Sequence, residues 1–306
     1  MRTPDPFGPE PPEVALAELA GWILHEDAEL LVIDKPGWLV CHPSKHGPRS
    51  SLVGACREWT GLERLHLVSR LDRETSGLVL LAKTATMASR LQTAMQQRRV
   101  EKVYLAVLEG RLAAPVEVDA ALGPDPDSAV RARVAVTDAP GSQAAFTRFE
   151  PVEPSEAKAS ASVEVGAEGD RPASIAEPPR IGLLDDSADP RAHAGLRGFT
   201  LARVLPRTGR KHQIRAHAAH IGHAVAGDKI YGPDETLFLE FIERGWTERM
   251  ARRLPIQRQA LHLARLRFHL GAGEASLRFE APLPNEMRHL IADRAPRRPG
   301  APSRDT

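Results

Sequence analysis

The sequence predicts an α+β fold, and three observations carry that prediction. Strand-like segments come in runs separated by isolated helical stretches, not in strict β-α alternation. The run Leu78-Val79-Leu80-Leu81-Ala82, bounded by Gly77 and Lys83, has the length and composition of a buried strand. Met87, Leu91, Ala94 and Met95 recur at three- and four-residue spacing, which gives one helix an apolar stripe facing the core.

Taken in order, strands are expected at 22–25 and 30–34, a helix at 50–58, and the buried strand at 78–82. The striped helix follows over 85–97. The next strand, 100–109, alternates: Val103, Leu105 and Val107 share one face, Lys102, Tyr104 and Ala106 the other. Strands at 145–150 and 199–205 are expected as neighbours in one sheet. A helix at 212–221 follows the turn at Gly209, then a helix at 234–243, strands at 260–269 and 275–280, and a last helix at 285–292.

At 306 residues and 42% hydrophobic content, the chain can bury one large core. A single domain over 14–293 is expected, interrupted by an insertion at 151–198 that is rich in Ala, Pro, Ser, Glu and Gly. That segment has almost no aromatic residues and no sustained period, so it is expected to be largely disordered, as are the tails 1–13 and 294–306. The net charge of +1 conceals a division: 151–198 carries nine acidic and five basic side chains, which leaves +5 for the rest. Basic residues cluster at Arg98-Arg99 with Lys102, across Arg203 to Arg215, and at Arg252-Arg253. No apolar run approaches the length of a membrane span and no signal peptide is visible, so a cytoplasmic protein with no membrane association is expected. Cys41 and Cys56 lie in no redox or metal pattern and are expected to be free thiols.

Three stretches carry the chemistry. In His66 to Gly77, Arg70 and Asp72 put a cation and a carboxylate at the lip of the buried strand, a costly placement unless matched or used. The structural alternative is an Asp that closes a turn through its own backbone. In Glu101 to Gly110, Tyr104 points away from the aliphatic face beside Lys102. It is either a half-buried packing residue or a platform for a nucleobase, worth about 1–3 kcal/mol per stacked base. In Thr208 to His223, Arg210, Lys211 and Arg215 crowd a helix start, which suits a polyanionic partner. His212, His217, His220 and His223 do not converge on one helix face and have no cysteine nearby, so no metal site is expected.

Together these stretches resemble the RluA-type pseudouridine synthase family: Arg70 with Asp72, then Tyr104, then the Gly-Arg-x-His-Gln-Ile-Arg run, in that order. The resemblance extends to Asp27 through Pro36, to Ala226-Gly227-Asp228-Lys229-Ile230-Tyr231-Gly232, to Arg258 through Ala264, and to Ala281-Pro282-Leu283-Pro284. Two positions depart from the family's pattern: Ser69 stands where His is common, and Lys211 where a small hydroxyl residue is commonest.

The resemblance implies a mixed, mainly antiparallel sheet with flanking helices and a central catalytic cleft. It implies isomerisation of uridine to pseudouridine in ribosomal or transfer RNA, with no cofactor, because nothing is oxidised. Asp72 matches the family's catalytic aspartate and Arg215 the arginine that pairs with it. Tyr104 resembles the residue that packs against a flipped uracil, and Arg70 the arginine that fills the gap left in the RNA. Lys102, Arg210, Lys211 and His212 are expected RNA contacts. No additional N-terminal RNA-binding domain of the S4 type is expected, and the enzyme is expected to be monomeric.

Two other classes remain open on sequence. A non-catalytic RNA-binding protein would not need Asp72, Tyr104 and Arg215 together. A glycosidic hydrolase would want a second carboxylate to activate water, for which Asp228 is the nearest candidate.

Overall fold

The structure is a computed structural model and describes residues 13–42, 47–153, 162–166, 198–271 and 276–292. The expected tails, apart from Glu13, and most of the 151–198 interval lie outside the described residues. In chain order the elements are helix α1 (Leu16–Ala20), strands β1 (Ile23–Glu26) and β2 (Leu30–Lys35), helix α2 (Leu52–Thr60), strands β3 (His66–Leu67) and β4 (Ser76–Ala82), and helix α3 (Ala85–Gln96). Strands β5 (Val100–Glu109), β6 (Val116–Asp119), β7 (Leu122–Pro124), β8 (Val134–Val136), β9 (Phe146–Pro151), β10 (Ser162–Gly166) and β11 (Phe199–Pro206) follow. The chain continues through α4 (Gln213–His220), α5 (Thr236–Arg244), α6 (Glu248–Arg253), β12 (Leu261–His269), β13 (Ser276–Glu280) and α7 (Asn285–Ala292).

Among the described residues, eleven strands form one sheet whose main path runs β1-β2-β4-β12-β5-β11-β9-β6, with β7 and β8 as a separate pair. Every pairing in the large sheet is antiparallel except β12 with β4, so the expected mixed, mainly antiparallel sheet is present. β9 and β11 are neighbours, joined by the long interval between them. Inside that interval, β10 pairs with β13. The expectation of a structureless insertion missed it because Ser162-Val163-Glu164-Val165-Gly166 is only five residues of alternation within Ala- and Pro-rich sequence.

The expected buried strand is buried throughout: Leu78 to Ala82 are each 0% exposed. Its Leu and Val side chains contribute about 1.5–3 kcal/mol each through apolar burial. Met87, Leu91 and Ala94 face the same core, and the Thr84 hydroxyl caps α3 by accepting from the Met87 N–H. A second apolar cluster, built on Leu105, Val107, Phe149, Val204 and Ile214, packs along β5, β11 and α4. Between the two clusters, β4 meets β12 so closely that only glycine fits at 77: it has φ +110°, and a Cβ there would lie 2.3 Å from the Leu263 carbonyl oxygen. That contact fixes the base of the loop holding Asp72. Among the described residues, no helix is long and apolar enough to cross a membrane.

Candidate active site

Asp72 lies on the loop between β3 and β4, which is braced at several points. The Arg73 carbonyl accepts from Lys35 Nζ at 3.0 Å, and the Glu74 carbonyl from Arg258 Nη1 at 3.2 Å. The Asp72 carbonyl accepts from the Thr75 N–H, the Thr75 hydroxyl accepts from Gln259 Nε2 at 2.6 Å, and Lys229 Nζ pairs with the Glu74 carboxylate at 2.6 Å. Leu71 closes the other side through its N–H and the Cys41 sulfur. Lys35 is fully buried at the end of β2 and spends its other two protons on the Pro36 and Leu39 carbonyls. Burial pulls its pKa down to about 8, with the Arg258 guanidinium adding to the fall while Cys41, Asp72 and Asp34 oppose it. Cys41 and Cys56 are free, as expected, and both are buried.

Helix α4 delivers the cation. Its first residue, Gln213, is pinned before the helix turns: its side-chain carbonyl accepts from the Thr208 hydroxyl and the Arg210 N–H, and its amide donates to Phe146 O and the Thr147 hydroxyl. Arg215, 143 residues from Asp72 in sequence, then donates from Nη1 to Asp72 Oδ2 at 3.0 Å. Its other edge is gripped by Asp228, with Nε to Oδ2 at 2.6 Å and Nη2 to Oδ1 at 2.8 Å. Asp228 is 0% exposed and also accepts from the Ile230 and Tyr231 N–H groups. Burial disfavours both charges, yet their mutual attraction prevails: the Arg215 pKa is driven up and that of Asp228 down. The guanidinium also lies 5.1 Å from the centre of the Tyr231 ring.

The result is one carboxylate with two different oxygens. Asp72 Oδ2 is anchored by Arg215, whereas Oδ1 has no hydrogen-bond partner among the described residues, and the side chain is 31% exposed. Tyr104 is half-buried between the two apolar clusters. Burial raises its pKa, and the nearby Asp72 charge raises it further. His212 Nε2 lies 3.8 Å from Asp72 Oδ2. The structure thus brings Asp72, Arg215, Tyr104 and His212 together.

The remaining expected residues differ in exposure. Arg70 is exposed, as are Arg210 and Lys211 in the turn before α4, where Arg210 Nε donates to the Ala144 carbonyl. Lys102 shares the Tyr104 side of β5 but is half-buried, and desolvation lowers its pKa. The histidines serve separate partners: His212 bonds to Tyr231, His217 to Thr147 and the Ala120 carbonyl, and His223 to the Glu109 carbonyl.

In sequence Asp228 is the nearest candidate for a second carboxylate. In the structure it is enclosed and committed to Arg215, with no access for a water to activate, which removes the second carboxylate a hydrolase would use. Lys35, Lys229, Tyr231 and Arg258 were not assigned roles from sequence. The available signal was the presence of charged or hydroxylated side chains inside otherwise apolar stretches such as Leu31 to Lys35.

Asp72, partly exposed and oriented by a buried guanidinium, with exposed Arg70 two residues before it and exposed Arg210 and Lys211 just before His212, is an arrangement that can support single-carboxylate chemistry on a polyanion. The RNA pseudouridylate synthase family profile matches residues 29–220. The chain is 31% identical over 274 residues to the "Uncharacterized RNA pseudouridine synthase YjbO" of Bacillus subtilis, covering 88% of this chain and 75% of that one. It is 29% identical over 273 residues to the "Ribosomal large subunit pseudouridine synthase D" of Vibrio vulnificus, covering 88% and 69%. The structure of human RNA Pseudouridylate Synthase Domain Containing 4 superposes with a TM-score of 0.56 at 22% identity, covering 90% of this chain and 95% of that one, which shows a shared fold. The chain belongs to the RNA pseudouridylate synthase family, whose reaction is the isomerisation of uridine to pseudouridine in RNA.

Proposed function

We propose that Asp72 is the reacting carboxylate of this isomerisation and acts on a uridine flipped out of a structured RNA. The reaction breaks the N1–C1′ bond and forms C5–C1′; C5 loses a proton and N1 gains one. Atoms and charge balance without a cofactor. One carboxylate, acting as nucleophile or as base on the ribose, suffices. The observation that carries the reading is the row Asp72–Arg215–Asp228, in which an immobilised guanidinium orients one carboxylate oxygen and leaves the other free. Arg215 positions, Tyr104 packs against the everted uracil, and Arg70 stacks into the space the base vacates. Lys102, Arg210 and Lys211 contact phosphates and carry binding more than chemistry.

Ribosomal RNA is the favoured substrate, because the exposed cations suit a large folded polyanion and a relative at 29% identity is named for the large ribosomal subunit. The unit acting on it is the 14–293 domain, working as a cytoplasmic monomer, with 151–198 as a surface insertion. The test is product analysis: purified protein and ribosomal RNA are incubated, digested to nucleosides and resolved. Pseudouridine without free uracil is expected, and none with Asp72→Asn. Free uracil as the product, or an active Asp72→Asn enzyme, would overturn the assignment.

A further inference from the structure

His212 has a backbone that an ordinary residue avoids, with φ at +53° and ψ at 15°, directly before helix α4. A non-glycine residue there costs about 1 kcal/mol or more, so the position is held by its surroundings. What holds it is Tyr231, which is buried and lies edge-on to the imidazole, ring centres 5.7 Å apart.

The hydrogen bonds at the Tyr231 hydroxyl favour one position for the imidazole proton. That oxygen accepts from the Val134 N–H at 3.0 Å and lies 3.1 Å from His212 Nδ1. A hydroxyl has one proton to give, and among the described residues Nδ1 is the one acceptor within reach of it, so the arrangement that uses this proton makes Nδ1 the acceptor. The ring proton is then on Nε2, which faces the reaction centre 3.8 Å from Asp72 Oδ2. Four charged groups face this ring: Arg215 and Lys211, which oppose a positive charge on it, and Asp72 and Asp228, which favour one. Burial together with Arg215 dominates and brings its pKa down to about 4, so the ring is neutral in neutral solution.

From this geometry we infer that His212, its proton fixed on Nε2 by Tyr231, is a catalytic hydrogen-bond donor to uracil O2 as the N1–C1′ bond breaks. Asp72 must reach the ribose next to that bond, so a donor beside Asp72 is beside the same bond. Of the substrate oxygens there, the ribose ring oxygen loses electron density in the transition state, while O2 gains it with the departing electron pair. A neutral N–H stabilises that growing charge without surrendering its proton. Proton transfer would be counterproductive, because the free base must keep the nucleophilicity at C5 that rejoins it to C1′. Tyr231 touches no substrate in this scheme and is a positioning residue. The assignment rests on Asp72 being the reacting group, and it holds whether Asp72 attacks the sugar or takes a proton from it.

Four substitutions and one spectrum test it. His212→Phe should lower kcat on the order of 100-fold, the usual loss for one such donor, with RNA Kd within about threefold. His212→Gln, whose amide reaches the Nε2 position, should recover kcat to within about tenfold of wild type. His212→Asn tolerates the left-handed backbone but its amide stops short, so it should fold normally and be as slow as the Phe variant. In histidine-labelled protein, nitrogen NMR should report the Nε2–H tautomer for His212 from pH 5 to 8, the signal being identified by its loss in His212→Asn. Tyr231→Phe should mix the two tautomers and slow turnover. The proposal is overturned if a folded Gln variant is as slow as Phe, if Phe weakens RNA binding but leaves kcat intact, or if the wild-type proton is on Nδ1. The tautomer is measured without substrate, so an active Asp72→Asn enzyme would defeat the assignment of the reacting carboxylate without altering that spectrum.

Discussion

Replacing Asp228 by asparagine exchanges one oxygen for an NH2 group and removes one charge, and the structure says where each change is felt. Oδ1 accepts three bonds, from Ile230 N–H, Tyr231 N–H and Arg215 Nη2, and an Asn carbonyl can keep all three. Among the described residues Oδ2 accepts only from Arg215 Nε, at 2.6 Å, and there the Asn amide would set donor against donor. The guanidinium, 6% exposed, would be left with Asp72 as its one carboxylate among the described residues. Breaking a buried ion pair by removing one partner costs about 3–5 kcal/mol, and the surviving Asp72 contact puts this case near about 3 kcal/mol. That is about two powers of ten in the folding equilibrium, and about 6 °C in Tm for a chain of this size. Urea denaturation followed by circular dichroism measures it. Turnover measured well below the melting transition should also fall, because an ungripped Arg215 no longer fixes the direction of Asp72. A loss under about 1 kcal/mol would refute the reasoning and mean that the Arg215–Asp228 pair contributes little beyond the solvation it forfeits.

Tyr104→Ala should reduce turnover far more than RNA affinity, since phosphate contacts dominate binding; comparable losses in kcat and Kd would make Tyr104 a binding residue only. Lys35→Met should cost about 3 kcal/mol in urea denaturation and depress turnover, because three carbonyls lose their donor and one of them belongs to Arg73 beside Asp72. A variant as stable and as active as wild type would contradict the bracing role. Burial depresses the pKa of His217 to about 4 and that of His262 to about 3, so between roughly pH 6.5 and those values the unfolded chain binds protons that the native state refuses. Stability should therefore be full above about pH 6.5 and fall by about 2 kcal/mol per histidine by pH 5, and a flat urea midpoint over that range would contradict the burial of these neutral rings.

What could be read from sequence was what local pattern determines. The apolar run at Leu78 to Ala82 and the stripe of Met87, Leu91 and Ala94 are buried as expected, because their periodicity is set by strand and helix geometry alone. The Asp72–Arg215 pair was legible through motif resemblance, although 143 residues separate its members. The parallel contact of β4 with β12 was not legible, since pairing between distant segments leaves no local trace beyond Gly77 itself. Nor was the service of Asp228, Tyr231 and Lys35: each sits in a stretch singled out for other reasons, and its role is defined by a partner brought in by the tertiary fold. Short β6, β7 and β8 escaped notice because three or four residues carry too little alternation to stand out.

The most direct measurement is a map of pseudouridine in cellular RNA with and without this gene. One or a few sites should disappear on deletion, return when the wild-type chain is supplied, and stay absent when Asp72→Asn is supplied at equal abundance. Restoration of those sites by Asp72→Asn would contradict the account.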